Sequence, residues 1–148
     1  MKVNELKNIS LDRDKIINLL ENKTCFIAVF SESCIHCTNM KPAWNNLKNI
    51  LKKIKSKSVV LEIDANQLDF INYGPLKNSI RGFPAIMIFK NGIMFKDYTG
   101  NRKTPDMLKF FKPHLEKANK KTIKIKKTIN KKTKQRNKRL SRRIKLLY

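Results

Sequence analysis

The chain is short of acid, short of cysteine and short of apolar length. Its 148 residues hold 11 Asp+Glu against 34 Lys+Arg, a net charge of +23. The longest apolar runs, residues 26–30 and 85–89, have five residues each. A bilayer span needs roughly 20. The opening MKVNELKNIS has no apolar h-region, so no cleaved secretory signal is expected. There is no GxGxxG and no P-loop, which removes the commonest phosphate cradles. Three cysteines, Cys25, Cys34 and Cys37, are too few to staple a domain of this size. An odd count without a signal points to an intracellular, reducing setting: the cytoplasm first, with the nucleus or a virus particle as alternatives. Hydrophobic residues still make up 41 %, enough for a core, so wholesale disorder is excluded.

The charge is unevenly spread. Residues 118–148 carry ten Lys, four Arg and no acid, or +14, and residues 1–117 carry the remaining +9. The expected organisation is a globular domain over 1–117 and a Lys/Arg-rich tail over 118–148. Like charges at that density repel, so the tail is expected to be disordered in free solution. Leu140, Ile144 and Leu147 recur at i, i+4, i+7 among the arginines, the pattern of a basic amphipathic helix induced on an anionic surface. Non-specific nucleic-acid binding, adhesion to anionic lipid and a nuclear address are the competing uses. No aromatic residue precedes Tyr148 in the tail, so base stacking is poorly supported.

Within residues 1–117 the pattern predicts α-β-α-β-α-β-β-α. A first helix is capped by Ser10 or Asp12, and residues 25–31 form a strand buried on both faces. A long helix runs from Cys34 to about Lys53 with Pro42 inside it, where a kink is expected. Residues 58–64 form a second buried strand. A short helix lies within 68–73, before a turn at Gly74-Pro75. Two strands then flank Lys90-Asn91-Gly92, a strong hairpin signal. The last helix starts at Thr104-Pro105-Asp106, with Thr104 as N-cap. Trp44, Phe110 and Phe111 sit at core spacing, and His114 is expected at the surface.

The chemistry is concentrated in CIHC at 34–37. It follows a buried strand and opens a long helix. Free N–H groups and positive potential at a helix N-terminus stabilise a thiolate on the first cysteine. The second lies one turn on, within reach of a mixed disulfide formed on the first. Zinc ligation is the alternative, but no second CxxC or HxxxH follows. Cys25, at the start of the buried strand, reads as an inert core thiol.

Four segments, FIAVFSESCIHCTNMKPAW, VVLEIDAN, SIRGFPAIMIFKNG and DYTGNRKTPDMLKFF, together resemble the thioredoxin superfamily. They cover most of residues 24–112 in the family's order and spacing. His36 between the cysteines and the DYTGNRK segment are most similar to protein disulfide isomerase-type domains. The resemblance implies an α/β fold of thioredoxin type, a central mixed sheet flanked by helices, here followed by the basic tail. It implies Cys34 as the attacking cysteine and Cys37 as the resolving one, with Ile35 and His36 between them. It implies a cis peptide at Pro84, with Phe83 and Pro84 receiving the substrate backbone, and Arg81 near the pair. Ser33 stands where the family usually has Trp. Ala28 stands where it has a buried acid that helps deprotonate the resolving cysteine. Glu62, on the neighbouring strand, has the parity of that acid's partner. It either supplies the missing carboxylate from across the sheet or is solvated near a strand end.

The expected function is thiol–disulfide oxidoreduction on protein substrates, with no metal and no cofactor beyond the Cys34–Cys37 pair. The alternative is a catalytically weak binding or packaging protein whose tail holds nucleic acid or anionic membrane.

Overall fold

The structure is a computed structural model that describes residues 2–6 and 12–118; the expectations for the tail beyond Ala118 lie outside the described residues. One compact unit spans Met1–Lys117. Its centre is β2 (Cys25–Phe30), in which every residue is buried. With no polar side chain on either face, such a strand must be covered on both. It pairs in parallel with β3 (Val59–Asp64) and antiparallel with β4 (Ala85–Lys90). Outside these lie β1 (Lys2–Leu6), parallel to β3, and β5 (Ile93–Asp97), antiparallel to β4. The sheet order is β1-β3-β2-β4-β5.

The two-residue period of the strands sorts the core into two layers. On one face Cys25, Ile27, Val29, Leu61, Ile63, Met87 and Phe89 pack against α1 (Arg13–Asn22), α3 (Leu68–Ile71) and α4 (Gly74–Lys77). On the other, Phe26, Ala28, Phe30, Val60, Ile86 and Ile88 meet α2 (Ile35–Lys53) and α5 (Thr104–Phe111). Phe26 stacks on Phe111 with ring centres 4.5 Å apart, and Trp44 presents edges to Phe30 and Phe111 at 6.1 and 6.2 Å. Truncating a buried ring such as Phe111 to Ala costs about 3–5 kcal/mol in cores of this kind.

Most expected elements are present, with α1 capped by Asp12, whose Oδ1 accepts from Asp14 N at 3.2 Å. Four differences have physical reasons. β1 was not expected, because Lys-Val-Asn-Glu-Leu has no sustained apolar run; its pairing with β3 rests on the backbone ladder. Gly74-Pro75 opens the short helix α4 rather than a turn, with Pro in the first turn where its missing N–H costs nothing. Thr104 is not the N-cap of α5. That place belongs to Lys103, and the Thr104 hydroxyl instead donates to the Ala43 carbonyl at 2.9 Å, docking α5 on α2. His114 and Phe110 are half-buried, and His114 lies edge-on to Phe95 at 5.4 Å and Phe110 at 6.4 Å. Pro42 lies inside α2, which runs through it without a break.

Two local devices fix the ends of the sheet. Glu116 Oε1 accepts from Thr24 N at 3.1 Å and Thr24 Oγ1 at 2.7 Å. Its backbone carbonyl accepts from Ser56 Oγ at 2.7 Å and Lys57 N at 3.2 Å. Residue 116 is thereby pinned at the N-terminal ends of β2 and β3, opposite the CxxC. At the β4–β5 hairpin Asn91 and Gly92 have φ of 51° and 81°, the left-handed pair that a two-residue type I′ turn requires. The Tyr73 hydroxyl donates to the Gly92 carbonyl at 2.9 Å, and a Cβ on Gly92 would lie 2.8 Å from that hydroxyl. Gly92→Ala therefore combines backbone strain with a clash. It is expected to lower unfolding free energy by about 1–2 kcal/mol from the backbone alone, measured by urea denaturation.

Candidate active site

β2 ends at Phe30, and the chain turns through Ser31–Ser33 to place Cys34 at the head of α2. Cys34 is the N-cap residue, and the cap is its own sulfur. Sγ accepts from Cys37 N at 3.2 Å, while the Cys34 carbonyl accepts from Cys37 N at 3.0 Å and Thr38 N at 3.1 Å. Helix donors and the positive end of the dipole converge on this atom. Hydrogen bonding from the Cys37 side chain, outweighing desolvation, holds the Cys34 thiol below its ordinary value; the backbone N–H groups of Cys37 and His36 and the charge of Arg102 add to this. Cys37 is buried, and Ser31 N donates to its sulfur at 3.5 Å. Burial, then its bond to Cys34, pushes the Cys37 thiol up to about 11. Two neighbouring thiols are thus driven apart, one towards thiolate and one towards thiol.

The Phe83-Pro84 bond is cis, and it brings the Phe83 carbonyl to 3.5 Å from Cys34 Sγ. Arg81, Phe83, Pro84, Tyr98 and Arg102 line a cleft of about 220 Å³ beside it. Ile35 is 66 % exposed and Phe83 37 % exposed, so the rim around Cys34 is apolar and open; His36 is exposed next to Ile35. Ser33 hydrogen-bonds only to Ser31 Oγ among the described contacts, at 3.3 Å. Among the described residues no group of three or more His, Cys, Asp or Glu is placed to hold a metal ion, and no helix is long and apolar enough to cross a membrane.

Behind Cys37 lies a charge cluster. Glu62 stands in register with Ala28, which adds only a methyl beside it. The carboxylate is 2 % exposed, so it is not solvated at a strand end. Its Oε1 lies 2.8 Å from Lys41 Nζ; its Oε2 is paired with Lys48 Nζ and accepts from Trp44 Nε1 at 3.1 Å. Burial works against the ionised form, but hydrogen bonds and charge from Lys41 and Lys48 overcome it and hold the carboxyl below its ordinary range. Cys37, Lys41, Trp44 and Lys48 fall at i, i+4, i+7, i+11 on α2, one stripe facing the sheet. Lys41 also lies 4.0 Å from the centre of the Phe30 ring and lines, with Cys37, a cleft of about 510 Å³.

Sequence reasoning missed Lys41, Lys48 and Arg102. The two lysines were legible as charges inside an otherwise apolar helical stripe. Arg102 is the arginine of the DYTGNRK segment; its charge acts on Cys34, and it lines the same cleft as Arg81. Cys25 is buried, its thiol donating to the Leu19 carbonyl at 3.2 Å, and burial pushes it up to about 12.

The thioredoxin sequence model matches residues 9–113. The chain belongs to the thioredoxin family. Human protein disulfide-isomerase A6 is 33 % identical to it over 108 residues, covering 70 % of this chain and 22 % of that protein. Protein disulfide-isomerase 1 of Dictyostelium discoideum is 27 % identical over 106 residues, 72 % of this chain and 28 % of that one. A thioredoxin domain-containing protein of Theileria parva is 32 % identical over 88 residues, 60 % of this chain and 37 % of that one. The chain therefore spans well under half the length of these relatives. Among solved structures, thioredoxin from Aeropyrum pernix superposes with a TM-score of 0.54 at 18 % identity, over 71 % of this chain and 85 % of that one. Human ERp44 gives 0.59 at 18 % identity, over 74 % and 32 %. Both share the fold.

The charge cluster makes a testable demand on stability. Removing one member of a buried ion pair leaves the other uncompensated, at about 3–5 kcal/mol, whereas replacing both with apolar groups is nearly neutral. Glu62→Leu is expected to be strongly destabilising, read by denaturation. The sign with pH follows from the depressed carboxyl. Its contribution is full above its unfolded value of about 4.3 and is lost as pH falls through the folded value. Acid unfolding should thus begin at higher pH when the cluster is weakened by Lys48→Met.

Proposed function

We propose that the domain is a thiol–disulfide oxidoreductase acting on protein substrates, with Cys34 as nucleophile and Cys37 as resolving thiol. The observation that carries this is the opposed poise of the two sulfurs at one helix head. Cys34 is capped and favoured as thiolate, and Cys37 is buried and kept protonated. The Cys34 thiolate attacks a substrate disulfide, forming a mixed disulfide and releasing one substrate thiolate, which takes a proton from solvent. Cys37 then loses its proton and attacks Cys34 Sγ. The substrate–Cys34 bond breaks, the second substrate thiolate leaves, and the pair has given up two electrons as a disulfide. In the reverse direction a substrate dithiol is oxidised; in either direction a thiol or disulfide partner resets the pair.

The remaining roles follow from position. Phe83 and Pro84, beside the attacking sulfur, receive an extended substrate segment by backbone pairing, and the exposed Ile35 and Phe83 side chains give it an apolar rim. His36 and Arg81 provide positive or hydrogen-bonding surroundings, with Arg102 acting on Cys34 itself. Glu62 is the carboxylate of this site in place of Ala28. No cofactor enters these steps.

Cys34→Ser is expected to abolish reduction of insulin by dithiothreitol beyond background, while Cys37→Ser should accumulate a mixed disulfide with substrate, seen on a non-reducing gel. Alkylation rates against pH should show one thiol titrating below the ordinary cysteine value and Cys25 unreactive until the fold is lost. Wild-type activity that is absent, or indifferent to Cys34, would overturn the reading.

A further inference from the structure

The lysine–glutamate cluster behind Cys37 reaches from the core to a cleft. Lys48 and Glu62 are both buried, with side chains 5 % and 2 % exposed. Lys41 is a second ammonium on the same carboxylate, 32 % exposed, one helical turn from Cys37. It lines the cleft that Cys37 also lines, together with Phe30, Ser31, Glu32, Thr38 and Asp64.

We propose that Lys41 is a positioning residue for the resolving step, its ammonium fixed by Glu62 and the Phe30 ring so that it stabilises the thiolate Cys37 must become before attacking the mixed disulfide. This rests on the redox reading above and says how Glu62 acts in it. With Lys41 ion-paired to Oε1 and Lys48 and Trp44 donating to Oε2, the Glu62 carboxylate has little remaining proton affinity and makes a poor base. Its effect on Cys37 passes through the lysine it holds. The Cys37 proton leaves to hydroxide or buffer base through the open cleft. The Cys37 sulfur then forms its bond to Cys34 as the substrate–Cys34 bond breaks.

Other groups set the background. Cys34 and His36 come from the head of α2, Glu32 from the loop before it and Asp64 from the end of β3; the charge of Arg102 acts on Cys34. Among the charges that act on Cys37, Lys41 lowers its thiol and Cys34 raises it. The Lys41 ammonium also lies 4.0 Å from the centre of the Phe30 ring, a cation–π contact that holds it in place beside the Glu62 pair.

The test separates the two chemical steps. Reduced protein is mixed with an aromatic disulfide such as dithiobis-nitrobenzoate. Attack by Cys34 releases the first coloured thiolate and resolution by Cys37 the second, and each is followed by stopped flow from pH 5 to 10. Lys41→Met is expected to leave the first release within about twofold. It should slow the second about tenfold near neutrality and move its pH midpoint up by about one unit, the equivalent of that factor. Lys41→Arg should restore most of the loss, and Lys41→Gln, which keeps a polar end, should behave like Met. A second release whose pH profile is the same in wild type, Lys41→Met and Lys41→Gln overturns the proposal, whatever those variants do to the melting temperature. Absence of the second release from wild type, or a first release that survives Cys34→Ser, overturns the redox reading instead.

Discussion

Everything in this fold depends on β2 having no exposed face. A strand apolar on both sides cannot lie at a sheet surface or edge, so it takes strands on both flanks and helices above and below. That placement decides where the chain must leave it. The crossover from β2 to the parallel β3 runs through α2, so the head of α2 sits at the C-terminal edge of the central strands, where open α/β sheets place their sites. The sulfur of Cys34 caps that helix because the cap position is the first residue free to turn in from the loop. The cis bond at Pro84 brings the start of β4 alongside. A buried strand, a helix dipole and the Phe83 carbonyl, just before the neighbouring strand, account for the geometry of the pair.

The same packing sets a second constraint, on β3. Ala28 and Glu62 face α2 in register, so one of two adjacent core positions is a charged group. Burying a lone carboxylate is prohibitive, and the helix answers with Lys41, Trp44 and Lys48 on one stripe. A buried ion pair of this kind adds little net stability over an apolar core. Its presence is better explained by what it does to the charge near Cys37 than by what it contributes to folding.

Several features were legible in the sequence because local chemistry dictates them. The Asn-Gly turn, the buried strands, the helix through Trp44 and the position of the CxxC all follow from periodicity and from left-handed backbone at Asn91 and Gly92. The cis bond followed only from the family resemblance. β1 was not legible, since an edge strand held by backbone pairing needs no apolar signature. Thr104 misled because a hydroxyl before Pro-Asp reads as a cap, and only the tertiary fold shows that Ala43 claims it. Glu62 was located by strand parity, but its partners were not. Two lysines seven residues apart become neighbours of one carboxylate only when α2 lies on β3. Arg81 came from the family resemblance, and nothing in the sequence marked Arg102 as a charge that acts on Cys34.

The scarcity of acid sharpens this. In a chain with 11 carboxylates, several of those described have defined structural tasks. Asp12 caps α1, and Asp64 Oδ1 accepts from Asn66 N at 2.8 Å where β3 ends. Glu116 ties the last described residues to Thr24, and Asp69 pairs with Lys77 at 2.8 Å. Each of these holds backbone or surface, and each could be replaced by a neutral acceptor at modest loss. Glu62 is different: it is the one buried acid among the described residues, it faces the layer that contains Cys37, and two ammonium groups lie on its carboxylate. A basic genome-wide bias would add lysine at the surface, where it is solvated. It does not explain a lysine such as Lys48 sealed into the core beside a glutamate. That placement requires the carboxylate, and the carboxylate in turn fixes a second ammonium at the rim of the cleft beside the resolving cysteine.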